Sequence, residues 1–306
     1  MAESALFALV RRLKATCLPA LVTAHRGASL EAPENTLPAF ERALAHGADL
    51  VEFDVHASAD GELFVIHDAK VNRTTDGTGE VSRLPAAAIR ELDAGRWFRD
   101  SFAGTPVPTL DETLDLLRTR AVPVVELKAK RKTSRDAGAR VAQCLARHGL
   151  SEHAVVICRE VERLREVRDA SPATPLSFLA YTKRGARAAS RLEGVAGLDL
   201  YWRALSSRLL LELRQRPGFF FTPWTVNRAR DQERLLALGL ETLITDDPAA
   251  FRALILRFDF RATAATRAEA ETRGDDDDLE PGAEPGASPD AVAEELGTKS
   301  EVDFEG

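Results

Sequence analysis

Two short apolar runs carry charged residues at alternate positions. Leu50–Val55 contains Glu52 and Asp54, while Val122–Leu127 contains Glu126 and is followed by Lys128. In an extended chain, residues two apart share a face. Glu52 and Asp54 therefore point one way, as do Glu126 and Lys128, and Val51, Phe53, Val125 and Leu127 point the other. Three carboxylates gathered at one place repel unless their charge is offset. A hard divalent cation, Mg²⁺ or Ca²⁺, is the simplest remedy, because it takes carboxylate oxygens and leaves positions for water or substrate. His25-Arg26-Gly27 and His67 also follow apolar runs. Two histidines can give and take protons near neutral pH, and Arg26 with Lys128 offers fixed positive charge to an anion. Together these groups describe the cleavage of a phosphodiester.

Such residues meet only if the elements carrying them converge. From Leu21 to Phe260 the chain alternates β-rich runs with segments of helical period, such as Leu37–Phe40–Leu44 and Leu235–Leu236–Leu238. The runs are Leu21–Ala24, Leu50–Val55, Leu63–Ile66, Val122–Leu127, Ala154–Cys158, Leu176–Ala180, Leu198–Tyr201, Phe219–Pro223 and Thr242–Thr245. The alternation predicts parallel βα units, and a body of this length fits a (β/α)8 TIM barrel. One run is in excess. Asp60-Gly61 is a hairpin signal, and a parallel crossover needs more residues than separate Asp54 from His67. Leu63–Ile66 should therefore return antiparallel above the barrel mouth, with His67 level with Asp54. Barrel chemistry collects at the carboxyl ends of the strands. There stand His25-Arg26-Gly27, Glu52 with Asp54, Glu126 with Lys128, Trp224, and Asp246-Asp247.

The chain has 306 residues, 44% of them hydrophobic, which excludes a wholly disordered protein. No run approaches the roughly 18–20 apolar residues of a membrane span, so integral membrane contact is not expected. The net charge of −7 hides two segments. Glu271–Gly306 holds thirteen acidic residues against Arg273 and Lys299, which leaves residues 1–270 at +4. The acidic segment, taken as 261–306, reads as a disordered tail. At the other end, Leu6, Leu9, Val10 and Leu13 share a helical face, so residues 1–20 read as a docking helix ahead of the barrel domain, 21–260. Charges that follow the apolar stretch argue against an export signal. Cys17, Cys144 and Cys158 show no metal spacing. These features lead us to expect a cytoplasmic protein. No basic stripe interleaved with aromatics suggests nucleic acid.

The ordered motifs Ala24-His25-Arg26-Gly27, Pro33-Glu34-Asn35-Thr36, Glu52-Phe53-Asp54, Ile66-His67-Asp68, Arg73-Thr74-Thr75-Asp76-Gly77-Thr78-Gly79, Leu92-Asp93-Ala94-Gly95, Pro108-Thr109-Leu110, Val125-Glu126-Leu127-Lys128, Trp224-Thr225-Val226-Asn227 and Thr245-Asp246-Asp247-Pro248 resemble the glycerophosphodiester phosphodiesterase family. The resemblance spans nearly all of residues 21–250. It implies a barrel with a capping insertion at about 69–108 and a bound divalent cation. It also implies hydrolysis of a small-molecule glycerophosphodiester to sn-glycerol 3-phosphate and an alcohol. His25 and His67 would be the acid–base pair, and Glu52, Asp54 and Glu126 would hold the metal. Arg26 and Lys128 would contact the phosphate, and Trp224 would line the glycerol side. Ile157-Cys158-Arg159 and Leu200-Tyr201-Trp202-Arg203 depart from the family pattern and are expected on the leaving-group side. With the apolar cap residues Leu92, Trp97, Phe98 and Phe102, these departures keep a lysophospholipid or other lipid phosphodiester open as the substrate.

Blander readings apply elsewhere. Asn35 suits an N-cap of the first helix, and Thr109 with Glu112 suits a capping box. His46, His148 and His153, near helix or loop ends, read as structural or surface residues, His56 as an exposed hairpin position, Asp246 as an anchor for loop backbone, and Cys158 as a small buried side chain.

Overall fold

In the computed structural model, residues 20–128, 136–216 and 219–258 are described. All lie in one compact unit, Met1–Asp276. Apart from Ala20, the expected docking helix lies outside the described residues, as does the acidic tail.

The strands are β1 (Leu21–His25), β2 (Leu50–Ala57), β3 (Leu63–Val65), β4 (Val122–Leu127), β5 (Val155–Cys158), β6 (Leu176–Ala180), β7 (Gly197–Tyr201), β8 (Phe220–Trp224) and β9 (Thr242–Thr245). Eight of them form a parallel sheet in the order β8-β7-β6-β5-β4-β2-β1-β9. Beyond β8 the Val226 N–H donates to the Ile244 carbonyl at 2.8 Å, which brings the two edges together into a nearly closed barrel. The helices are α1 (Leu37–Ala45), α2 (Ala86–Arg90), α3 (Leu110–Leu117), α4 (Ala137–Arg147), α5 (Val161–Ala170), α6 (Lys183–Ala189), α7 (Ser207–Leu213), α8 (Ala229–Ala237) and α9 (Pro248–Arg257). A (β/α)8 barrel is what the alternating pattern required.

Period-2 alternation sorts each strand between two cores. Val22, Val51, Phe53, Val125 and Val156 face outward and pack with helix residues such as Phe40, Leu114, Leu145 and Phe251. The Phe40 and Phe53 rings sit 5.7 Å apart, and burying one such side chain stabilises the fold by about 2–3 kcal/mol. Leu21, Leu50, Val122, Val124, Val155, Ile157 and Phe220 fill the barrel interior. Further along the strands the inward positions turn polar: Thr23 with Thr242, then Ser177 with Asp199, and finally the charged strand ends. Thr109 caps α3 by the expected reciprocal box with Glu112, worth about 1 kcal/mol.

β3 pairs antiparallel with β2 in the register Val55↔Val65, His56↔Phe64, Ala57↔Leu63. The hairpin loop holds three residues, Ala59-Asp60-Gly61, with Gly61 in the left-handed region at φ +87°. One residue more than a two-residue turn shifts the count by one, so Ile66 rather than His67 stands opposite Asp54, its N–H donating to the Asp54 carbonyl at 3.0 Å. Residues after β3 build a small cap around Ile66, Val71, Val81, Ile89 and Val107. The cap chain rejoins β3 where the Val65 N–H meets the Pro108 carbonyl at 2.8 Å.

Candidate active site

The β1 end carries His25, whose Nδ1 lies 2.6 Å from Asp246 Oδ1. Asp246 sits just past β9, and its carboxylate also accepts from Asn227 Nδ2 at 2.6 Å and Ser29 Oγ at 3.2 Å. Asp246 was expected only to anchor loop backbone. Its N–H is tied to Asn227 at 2.9 Å, but the carboxylate itself orients the imidazole. Burial pushes this carboxyl up, yet the His25 hydrogen bond and charge outweigh it and hold it down near 2. His25 Nε2 is left facing the barrel axis, 4.0 Å from Glu52 Oε2.

His67 repeats the arrangement from the hairpin side, with Nδ1 2.6 Å from Asp68 Oδ1. Burial of Asp68 is again outweighed, here by hydrogen bonds from His67 and Arg73, so its carboxyl is held well below the usual range. His56 is not the exposed hairpin residue expected. It is partly buried, and its Nε2–H donates to the His67 carbonyl at 3.0 Å. Burial pushes the imidazole down to about 4, so it is neutral near pH 7 and serves as a brace.

Between the two histidines lie Glu52, Asp54 and Glu126, each offering an oxygen within 4.8 Å of the others. The sheet register explains the gathering: His25 is the cross-strand neighbour of Glu52, and Asp54 that of Glu126. Glu52 and Asp54 are fully buried. Lys128 Nζ lies 2.6 Å from Glu126 and 3.3 Å from Asp54. Arg26 sends its backbone N–H to Glu52 at 3.2 Å, and its Nε lies 3.3 Å from Asp54. Burial and the two neighbouring carboxylates push Glu52 well up. For Asp54, the charges of Lys128, His67 and Arg26 outweigh burial and hold it down. Three carboxylates face two cations, Arg26 and Lys128, which is why one of them, Glu52, is driven toward its neutral form without a further cation. The buried Asp54 Oδ1 accepts no hydrogen bond. Oxygen donors at this spacing, one of them ionising fully only beside added positive charge, fit a hard divalent cation.

Asn35 is not the N-cap; Thr36 takes that place ahead of α1. Asn35 adopts φ 57°, a left-handed conformation that Asn tolerates better than most residues. Its Nδ2 donates to Asp54 Oδ2 at 2.7 Å and its Oδ1 accepts from the Asp54 N–H at 3.2 Å. Glu34 beside it binds Arg26 at 2.9 Å and accepts twice from Arg73 of the cap, at 2.9 and 2.8 Å. Arg73 also donates to Asp68 at 2.8 and 3.1 Å.

Trp224 ends β8 with its ring against Tyr181 at 5.0 Å and Tyr201 at 5.7 Å, forming an aromatic wall. Tyr181 escaped the sequence reading because it follows β6 with no motif around it; inward parity with Ser177 was the available signal. Of the departures expected on the leaving-group side, Tyr201 belongs to this wall. Cys158 instead packs in the outer core, where its strand parity points it toward the helices, and so does Trp202, in the 3₁₀ turn Trp202–Ala204 that follows β7. Cys158 is the small buried residue expected, its thiol donating to the Leu127 carbonyl at 3.1 Å.

Fold and site together define a parallel βα barrel whose mouth holds a carboxylate cluster between two histidine–aspartate pairs. The sequence model of the glycerophosphoryl diester phosphodiesterase family matches residues 25–250. The chain belongs to that family. A glycerophosphodiester phosphodiesterase of Caldanaerobacter subterraneus subsp. tengcongensis is 34% identical over 231 residues, 74% of this chain and 94% of that protein. The Bacillus subtilis enzyme of the same name is 32% identical over 251 residues, 76% of this chain and 85% of that one. The crystal structure of the Agrobacterium tumefaciens enzyme superposes with a TM-score of 0.67 at 29% identity, covering 76% of this chain and 99% of the other.

Proposed function

We propose that this chain is a glycerophosphodiester phosphodiesterase that hydrolyses its substrate to sn-glycerol 3-phosphate and an alcohol. His25 and His67 move the protons, and a divalent cation sits at Glu52, Asp54 and Glu126. The observation that carries the reading is the pair of histidine–aspartate contacts, both 2.6 Å, flanking the carboxylate cluster. Each aspartate holds Nδ1 and leaves the other ring nitrogen for chemistry, the arrangement general acid–base catalysis needs.

One histidine takes a proton from the attacking water as the new P–O bond forms. The other gives a proton to the alkoxide oxygen as the old P–O bond breaks. Arg26 and Lys128 offset the charge that grows on the phosphoryl oxygens. Glu52, Asp54 and Glu126 would hold Mg²⁺ or Ca²⁺, which when bound polarises the phosphoryl group. Trp224, with Tyr181 and Tyr201, would pack against the carbon face of the glycerol. Free Cys144 and Cys158 suit a reducing, cytoplasmic setting. Among the described residues, no helix is long and apolar enough to cross a membrane.

A second reading is the same chemistry on a lysophospholipid. It is favoured by the cap aromatics: Trp97 is 40% exposed and continues through Phe98 to Phe102 with ring separations of 5.8 Å. The test offers glycerophosphocholine, glycerophosphoethanolamine and lysophosphatidylcholine with Mg²⁺ or Ca²⁺, then with chelator. Release of sn-glycerol 3-phosphate that stops with chelator is expected. Turnover of the lyso-lipid alone would select the second reading, and turnover undiminished by chelator would remove the cation from the scheme.

A further inference from the structure

The mouth makes no use of a second cluster on the outer helical layer. Cys144 and His148 stand one turn apart at the end of α4, facing the first turn of α3. His148 Nε2–H donates to Asp111 Oδ1 at 2.8 Å, and the buried Cys144 side chain lies beside them. Sulfur, nitrogen and oxygen from these three residues all lie within 4.8 Å of one another. The remaining ring nitrogen of His148, Nδ1, is 3.3 Å from Asp115 Oδ1.

We propose that Asp111, Cys144 and His148 form a second cation site, which takes a thiolate-accepting divalent ion of the Zn²⁺ class. The donor set is the first argument. One sulfur, one imidazole and one carboxylate, with a fourth position for water, match what Zn²⁺ accepts and what Mg²⁺ or Ca²⁺ avoid. Asp115 is the second argument. Asp115 stands 3.3 Å from Nδ1, placed to hold a proton there once an ion displaces the Nε2–H that bonds Asp111 at 2.8 Å, the role carboxylates take beside metal-bound imidazoles generally. His148 is thereby aimed at the Asp111–Cys144 corner rather than merely sitting near it.

Access is not blocked. Arg147 pairs with Asp111 at 3.0 and 3.1 Å but is 59% exposed, so its guanidinium can swing into water when a cation arrives. As the metal–sulfur bond forms, the thiol proton passes to solvent. The Nε2 proton that faced Asp111 is given up so that the ring keeps its proton on Nδ1 beside Asp115, and His148 binds through the freed Nε2 lone pair. No electron moves. The two sites would sort ions by donor type: all-oxygen at the mouth, mixed sulfur, nitrogen and oxygen between α3 and α4. An ion tying α3 to α4 should act on stability more than on turnover.

The test uses the full chain, reduced and stripped of metal. Titration with Co²⁺ should give a thiolate-to-cobalt charge-transfer absorption that saturates at one equivalent and is displaced by Zn²⁺. It should vanish in Cys144→Ser and persist in Cys158→Ser. Zn²⁺ should raise the melting temperature of the native chain by more than that of Cys144→Ser, which keeps only the carboxylates of the mouth as an intact site. Asp115→Asn should weaken Zn²⁺ binding about tenfold or more. Asp111→Asn, at an exposed position that leaves the fold intact, should weaken it at least as much. No charge-transfer band at saturating Co²⁺, or a band that survives Cys144→Ser, would overturn the proposal. Both readouts are independent of phosphodiester turnover, so the outcome does not depend on the function proposed above.

Discussion

Each histidine at the mouth is held at Nδ1 by a carboxylate, Asp246 for His25 and Asp68 for His67. His25→Ala and His67→Ala should each lower kcat by about 10²–10⁴, the usual worth of a general acid or base, with unchanged circular dichroism. Near-normal rates in both would sink the acid–base assignment. Asp246→Asn keeps the shape but replaces the acceptor on His25 Nδ1, so kcat should fall while KM moves little. A second buried carboxyl lies deeper. Asp199 meets Ser177 inside the barrel, and burial, with the nearby Glu126 charge, pushes it from 3.8 to about 7. The folded chain therefore keeps a proton that the unfolded chain has released above pH 4. Stability from this group is present at low pH and declines as pH rises from about 4 to about 7, by up to roughly 4 kcal/mol. Asp199→Asn should flatten that decline, read by urea denaturation at pH 5 and pH 8. Equal slopes for both proteins would refute it.

The hairpin and cap act as one element that carries His67 to the barrel. Asp60 in the hairpin loop accepts from the Ala86 N–H at 3.0 Å and so fastens the start of α2. At the other side, Arg73 clamps Glu34 and Asp68 together. It thereby links the partner of Arg26 on the barrel to the partner of His67 on the cap. Arg73→Ala should lower kcat/KM by about tenfold to a hundredfold through misplacement of both groups. Arg73→Lys should recover little, since an ammonium cannot reproduce the four N–H bonds that the planar guanidinium makes to Glu34 and Asp68. A lysine variant with full activity would reduce the clamp to simple charge.

At the scale of the whole molecule, charge and function separate. The excess acid lies in residues 271–306, and the mouth residues lie between His25 and Asp246. We expect truncation after Ala262 to leave kcat and KM unchanged at physiological salt, since a body of net charge about +4 steers small anions only weakly. A rise in KM on truncation would show the tail shaping the site.

The sequence by itself determined the barrel, because periods of 2 and 3.6 alternate along it and each period dictates its own element. It also determined the mouth, because inward parity and strand ends are local properties of Glu52, Asp54, Glu126 and Lys128. Only the tertiary structure decided what each of these residues touches. Asn35 reads locally as a helix cap, and nothing near it in the chain says that it holds Asp54, 19 residues away. Asp246 meets His25 across 221 residues, through closure of the last strand on the first. Cys144 and His148 lie four residues apart at the end of α4, but nothing near them in the chain says that Asp111 of α3 meets them. Periodicity is written in neighbours along the chain, whereas a site is made of neighbours in space.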